Sequence, residues 1–273
     1  MIQLKQYQEE AKNRLVEFFQ LSREMGSPKL AFEKLTESYF GVNVPYQNPK
    51  ELNSGVPYVC FRIPTGGGKT FVACHAVSVA QKEWLDTDTS VVLWLAPTRP
   101  IVHQTLKALK NDLHFYRQSL DEELDQVHIW DIEDVLKTGG LVNQTGTHII
   151  VSTIQAFRIK DKTGRRVYSE NGHYKNTLQK PVEGLILYPD SDLPIPSLAN
   201  YLKQSMPMVV VDEAHNVKAD LSMDTLVNFN PSCILEFTAT PETRQKKNPS
   251  NILYSASAAE LAADNMIKMP IRL

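Results

Sequence analysis

Leu4, Tyr7, Ala11, Leu15 and Phe18 recur every three or four residues between polar neighbours, which predicts an amphipathic helix at the start of the chain. A polar stretch from Ser22 to Gly55, punctuated by Pro28, Pro45 and Pro49, reads as an insertion or extended connection with a short helix around Leu30 to Tyr39. From Tyr58 onward the pattern changes to short apolar runs alternating with helical segments. Tyr58 to Ile63 leads through a glycine turn into a helix over Lys69 to Trp84, and Val91 to Leu95 leads into a helix over Pro100 to Leu113. Further strands are predicted at Val127 to Trp130, His148 to Val151, Met208 to Val211 and Cys233 to Phe237, each short and rich in β-branched residues. Repeated strand–helix order implies parallel strands joined by right-handed crossovers. Runs that are apolar on both alternating faces belong to strands covered on both sides. The pattern therefore predicts an α/β fold, a parallel sheet flanked by helices on both faces.

Between Lys160 and Pro207 the alternation stops, and Gly164, Gly172, Pro181, Pro189, Pro194 and Pro196 appear among charges. This segment, about 160–207, reads as a surface insertion. Ser257 and Glu260 stand at capping-box spacing before an Ala-Leu-Ala-Ala run, which predicts a helix over Ser257 to Met266. The expected organisation is an N-terminal helix with a polar extension over 1–56, one α/β domain over 57–256 and a C-terminal helix with the start of a linker over 257–273.

Composition narrows the class without naming a partner. A chain of 273 residues with 42% hydrophobic content can bury a full core. Its 29 basic and 31 acidic residues give a net charge of -2, which excludes a uniformly basic coat but permits a local basic groove. Cys60, Cys74 and Cys233 have no paired spacing and read as small buried residues in a reducing compartment. With no signal-peptide-like start and no long apolar run, a cytoplasmic protein with no membrane partner is expected.

The candidate chemistry lies in two segments. Pro64-Thr65-Gly66-Gly67-Gly68-Lys69-Thr70 is a glycine-rich turn between a strand and a helix, whose backbone N–H groups can close around phosphate oxygens while Lys69 adds a point charge. The strict phosphate-loop pattern begins with glycine where this chain has Ile63. Val209-Val210-Val211-Asp212-Glu213 brings two carboxylates to the tip of a buried strand, where a magnesium-bound phosphate could meet them. Together they point to a nucleoside triphosphatase using Mg2+. Lys69 would lie against the β- and γ-phosphates, and Thr70 and Asp212 would hold the metal. Glu213 would orient or deprotonate the attacking water.

Asp212-Glu213-Ala214-His215 is a DEAH box, and the chain resembles the first RecA-like motor domain of a superfamily-two helicase or translocase. Tyr7 and Gln8, within Leu4-x-x-Tyr7-Gln8, resemble the adenine-recognition motif. Thr98 and Arg99, within Ala96-Pro97-Thr98-Arg99, and Ser152, Thr153 and Gln155 resemble segments that touch the nucleic-acid backbone. Thr238 and Thr240, in Thr238-Ala239-Thr240, resemble the motif linking hydrolysis to movement. The resemblance gives His215 a coupling role toward Gln155 or Thr238. Tyr7 and Gln8 equally suit one core and one solvent residue of the opening helix. Thr98, Arg99, Ser152 and Thr153 suit helix capping.

Within that superfamily the chain is similar to the restriction branch, the ATP-driven Res subunits of type III and related restriction enzymes. Leu4-Lys5-Gln6-Tyr7-Gln8, the phrase Phe61 to Thr70 with its three glycines, and the tail Met266 to Ile271 carry this similarity. The resemblance implies an ATPase that moves on duplex DNA. It also implies a second RecA-like domain supplying arginine fingers, a nuclease domain in the parent chain and a modification-subunit partner. Alone, this domain is expected to be weakly active, since arginine fingers contribute about 10³ to 10⁵ in turnover. The alternatives are a helicase motor of DNA repair or RNA metabolism, and a nucleotide-gated clamp on nucleic acid without useful turnover.

Overall fold

The computed structural model describes residues 2–49, 52–142, 144–157, 166–178, 182–212, 223–242, 249–264 and 266. The opening helix, α1 (Gln6–Met25), buries Tyr7, Ala11, Leu15, Phe18 and Phe19 along one stripe. It stops at Gly26, whose φ of 62° closes the last turn in the left-handed region, with its N–H on the Arg23 carbonyl. Ser27 then caps α2 (Pro28–Phe40) by accepting from Leu30 N, and Pro28 occupies the first turn, where no N–H is needed. The polar stretch is thus more structured than its composition suggests. Ala31, Phe32 and Leu35 are buried in the common core, making α1 and α2 a helical hairpin.

The described strands are β1 (Tyr58–Arg62), β2 (Ser90–Ala96), β3 (Val127–Asp131), β4 (Thr147–Thr153), β5 (Met208–Asp212), β6 (Cys233–Thr238) and β7 (Ile252–Ser255). They form one seven-stranded sheet in the order β3-β4-β2-β5-β6-β1-β7, with every pairing parallel. The central strands β5 and β6 are buried at every position, which requires cover on both faces. This is the expected RecA-like parallel sheet flanked by helices.

The helices between strands are α3 (Lys69–Val79), α4 (Arg99–Leu109), α5 (Phe115–Glu123), α6 (Ile132–Thr138), α7 (Leu198–Ser205) and α8 (Met223–Val227), and α9 (Ala258–Ala263) follows β7. Three details differ from the periodicity reading. The helix expected over Lys69 to Trp84 ends at Val79 and continues as a π-helical turn, Ala80–Leu85, that lets the Trp84 ring stack on Phe19 and donate to the Ser232 carbonyl. Two helices, α5 and α6, fill what reads as connection before β3 and β4. Finally, the segment before β5 ends in α7, capped by Ser197 and burying Leu198 and Leu202. In the described part of that segment, the Tyr174 hydroxyl donates to the Val135 carbonyl and the Asn171 amide to the Leu136 carbonyl. Both bonds dock it on α6. The Ser257–Glu260 capping box forms at the start of α9 as its spacing predicts. Cys60, Cys74 and Cys233 are all buried. Among the described residues, no helix is long and apolar enough to cross a membrane.

Candidate nucleotide site

Parallel register assembles the site at one edge of the sheet. Arg62 at the end of β1 lies opposite Thr238 at the end of β6, Asp212 at the end of β5 opposite Phe237, and Ala96 at the end of β2 opposite Thr153. These positions therefore all lie at the carboxyl edge, where open α/β sheets bind ligands. β6 separates the glycine-turn strand from the carboxylate strand.

The turn itself is built by local geometry. Gly66 and Gly68 have φ of 82° and 72°, values that favour glycine, and Gly68 is the N-cap of α3. Gly67 N donates to the Pro64 carbonyl at 3.0 Å, and Ile63 N donates to the Thr238 carbonyl at 3.0 Å. The loop is thereby tied to β6 at its root. Thr65 and Gly66 are exposed at the tip, while Lys69 is 6% exposed and Asp212 2% exposed. Thr70 Oγ1 donates to Asp212 Oδ2 at 3.2 Å, joining residues 142 positions apart in the chain.

Tyr7 and Gln8 reach the same loop from α1. The Tyr7 hydroxyl donates to the Gly67 carbonyl at 2.7 Å, and Gln8 Nε2 donates to the same carbonyl at 3.1 Å and lies 3.2 Å from the Tyr7 hydroxyl. Gln8 Oε1 accepts from Lys5 N at 3.0 Å. Burial pushes the Tyr7 phenol up to about 12, so it remains a donor across the physiological range. Both side chains are buried, and the Gln8 amide already serves the loop as a strut.

Of the residues with proposed backbone contacts, Thr98, Arg99 and Gln155 are exposed, whereas Ser152 and Thr153 are not. Thr98, in extended conformation, is the N-cap of α4, its side chain making no cap bond, and Arg99 begins the helix; both are exposed. Gln155 is exposed just after β4, whereas Ser152 is buried and Thr153 half-buried at its end. Thr238 is buried, and its Oγ1 accepts from Thr240 N at 3.2 Å, which shapes the turn leading to exposed Thr240. Glu213 and His215 lie outside the described residues, as does most of the Met266 to Ile271 tail.

A cleft of about 600 Å³ opens beside Thr65, Thr70 and Asp212, with Gln104, Asn111 and Tyr116 across from them. A hydroxyl and a carboxylate oxygen side by side at its wall are hard oxygen donors. That fits Mg2+, which keeps several waters and takes only one or two protein oxygens beside phosphates. The positive-φ turn and the start of α3 fit the phosphates themselves. Mg2+ would thus be held by Thr70 and Asp212, and a triphosphate by residues 65–70.

The sequence reading misses the far wall of this cleft. His114, Phe115 and Tyr116 form an aromatic group with Phe71 of α3: the Phe71 and Phe115 rings meet edge-on at 5.0 Å, and Phe71 and Tyr116 stack at 6.1 Å. Behind them His75 Nδ1 lies 2.8 Å from Glu123 Oε1, which also receives Lys12 Nζ at 3.0 Å. Burial alone would raise the Glu123 carboxyl, but the bonds to His75 and Lys12 outweigh it and hold it down at about 2. An ammonium, an imidazole and a carboxylate from α1, α3 and α5 thus fasten the back of the phosphate-loop helix. Only the aromatic run at 114–116 could have signalled this from sequence, and its spacing has no helical period.

Among solved structures, the type ISP restriction-modification enzyme LlaGI, as a nuclease-deletion mutant in complex with a DNA substrate mimic, aligns over 98% of this chain and 21% of its own. The identity is 13% and the TM-score 0.48. The ATP-dependent type ISP enzyme LlaBIII bound to DNA aligns over 97% of this chain and 16% of its own, at 13% identity and a TM-score of 0.45. The Sulfolobus solfataricus SWI2/SNF2 ATPase core in complex with dsDNA covers 67% of this chain and 28% of its own, at 14% identity and a TM-score of 0.33. The chain thus spans about a fifth of the length of LlaGI and about a sixth of that of LlaBIII. No curated protein matches the sequence. The family described as type III restriction enzyme, res subunit, matches residues 1–243, and the chain belongs to it.

Proposed function

We propose that this domain binds and hydrolyses ATP with Mg2+ and uses the cycle to move on duplex DNA as the motor of a restriction enzyme. The observation that carries this reading is the Thr70–Asp212 hydrogen bond beneath a glycine loop whose Gly67 carbonyl is gripped by Tyr7 and Gln8. Metal-ligand chemistry, phosphate-binding backbone and the α1 motif converge on one turn. Lys69 would lie against the β- and γ-phosphates from the start of α3, where the helix dipole adds to its charge. Mg2+ would neutralise charge on the phosphate oxygens. Glu213, the residue after Asp212, would orient or deprotonate the attacking water, and His215 would couple the site toward Gln155 or Thr238. Because Gln8 bonds both the loop and the α1 backbone, adenine at its edge and phosphate on the loop would be sensed by one side chain.

The exposed line of Arg99, Thr98, Gln155 and Thr240 supports a polyanion track along the same edge. A second RecA-like domain in the parent protein would close over the site and supply the arginine fingers, and a nuclease domain and a modification subunit would complete the restriction enzyme.

Steady-state ATP hydrolysis by the parent protein tests this, with no nucleic acid, duplex DNA, single-stranded DNA or RNA, and Glu213→Gln as the blank. Stimulation by duplex DNA that is lost in the variant supports the translocase. Preference for single strands or RNA replaces it with a repair or RNA helicase. Tight ATP binding with no stimulated turnover replaces it with a nucleotide-gated clamp.

A further inference from the structure

The Tyr7 ring is only 1% exposed and so closed to a stacking base, yet its hydroxyl reaches the glycine loop. A phenol has one hydrogen, and Tyr7 gives it to the Gly67 carbonyl at 2.7 Å. The phenol oxygen accepts from Gln8 Nε2, which also donates to the same carbonyl at 3.1 Å. Two donors from α1 therefore converge on one carbonyl oxygen and fix the way it points.

That direction sets another. The peptide between Gly67 and Gly68 is trans and planar, so its C=O and N–H point in opposite senses. A carbonyl turned toward α1 aims the Gly68 N–H away from α1. Gly68 is the N-cap of α3, and its N–H has no partner among the described residues. Gly66 and Gly68 lie in the left-handed region on either side of Gly67, an alternation that turns backbone donors toward the inside of a loop. Packed side chains close the other side of the residue, since a Cβ on Gly67 would meet Ile63 Cγ2 at 2.7 Å and Leu261 Cδ2 at 2.9 Å.

We infer that Tyr7 is a positioning residue for phosphate and not a contact to the base: its hydroxyl holds the Gly67 carbonyl toward α1 and so presents the Gly68 N–H to the anion. The inference rests on the reading of residues 65–70 as the phosphate loop. A donor set before the ligand arrives stabilises the bound state by sparing the cost of ordering it on binding. Affinity should then depend on Tyr7 through the phosphates alone, whatever base the nucleotide carries.

The test is calorimetric titration of the 273-residue chain with inorganic tripolyphosphate, adenosine and ATP, alongside NMR of the Gly68 amide. Tyr7→Phe keeps the ring, and Gln8 Nε2 still serves the Gly67 carbonyl, so the melting temperature should stay near that of the wild type. Affinity for tripolyphosphate and for ATP should each fall about fivefold, the scale of one ordinary hydrogen bond, with adenosine binding unchanged. The Gly68 amide proton should move downfield when ATP binds the wild type, and by less in the variant. Unchanged tripolyphosphate affinity in Tyr7→Phe overturns the inference, as does an equal loss for ATP and adenosine. A wild-type Gly68 amide that bound ATP leaves unmoved overturns it too, even where the variant fails to fold. If the wild-type chain binds neither tripolyphosphate nor ATP, the phosphate-loop reading has failed and the inference falls with it. Normal wild-type binding matched in full by Tyr7→Phe sinks the inference alone.

Discussion

Gln8 and Gly68 approach so closely that a Cβ on residue 68 would sit 2.6 Å from the Gln8 amide nitrogen, at a φ of 72° that L side chains rarely adopt. The opening helix and the phosphate loop are thus fitted to each other through the absence of one methyl group. Gly68→Ala is expected to combine backbone strain with displacement of Gln8, a cost of about 2–3 kcal/mol. Gly26 is the internal control. It has a φ of 62°, but a Cβ there would meet nothing within 4 Å, so Gly26→Ala should cost only the strain, about 1 kcal/mol. Urea denaturation of the two variants, alongside nucleotide titration, checks both halves: only the change at 68 should also weaken nucleotide binding.

Lys69 is the first residue of α3, directly after the glycine turn, and is buried rather than extended into solvent. Lys69→Ala should lower nucleotide affinity by about 10- to 100-fold, the range for a lost hydrogen bond to a charged group. Asp212→Asn should leave binding in EDTA largely intact and remove the gain from Mg2+. Isothermal titration with and without the metal separates the two effects. A Lys69→Ala chain that binds like the wild type would remove the phosphate role.

Much of this arrangement is legible in sequence because the chemistry sits at strand ends. Val209 to Val211 is an apolar run of strand length that stops at a carboxylate, and Tyr58 to Ile63 stops at glycines, so strand, edge and candidate ligand are read in one stroke. The motifs bring Thr70 and Asp212 to one metal, but the direct hydrogen bond between them depends on β6 lying between β1 and β5, and no local pattern encodes strand order. Helix α5 is hidden for another reason. Its apolar residues are Phe115 and Tyr116 side by side and then Leu120, and its stability comes from the Phe71 ring and the His75–Glu123 contact, which are tertiary. In the polar stretch after α1 the short helix expected around Leu30 to Tyr39 is present as α2, held in the core by Ala31, Phe32 and Leu35.

His148 stacks on His128 across β3 and β4 with ring centroids 4.6 Å apart, and its Nδ1 accepts from Trp130 Nε1 at 3.1 Å. Burial first, and then the neighbouring His128, hold its imidazole below the usual histidine range. A lowered pKa means the unfolded chain takes up the proton first. Stability is therefore fully present above the ordinary histidine value of about 6.5 and is lost as pH falls through that value toward the folded pKa. The urea midpoint should drop between pH ~7.5 and ~5, and His148→Phe should flatten the part of that slope that His148 causes. An unchanged slope in the variant would assign the acid sensitivity elsewhere.

The carboxylate of Glu236 is buried in the middle of the sheet, two residues before Thr238 on β6, and both of its oxygens are engaged. Oε2 accepts from the Tyr58 hydroxyl at 2.8 Å and Oε1 from Ser250 Oγ at 2.9 Å, while Ser250 Oγ itself accepts from Glu242 N at 3.2 Å. Burial, and then the charge of Glu236, push the Tyr58 phenol well above its ordinary range, so it remains a donor. A buried carboxylate is tolerated only when donors surround it. Tyr58→Phe deletes one of those donors without changing the ring, and should cost about 2 kcal/mol of folding stability, the scale of a hydrogen bond to a charged group. The network ties β1 to β6 and to the segment after Thr240, yet neither Tyr58, Glu236 nor Ser250 lines the cleft beside Thr70. Nucleotide affinity of the folded variant should therefore match that of the wild type. Denaturation and nucleotide titration of Tyr58→Phe together decide it. A loss of affinity without a loss of stability would mean that Glu236 acts on the site through Thr238 rather than on the fold.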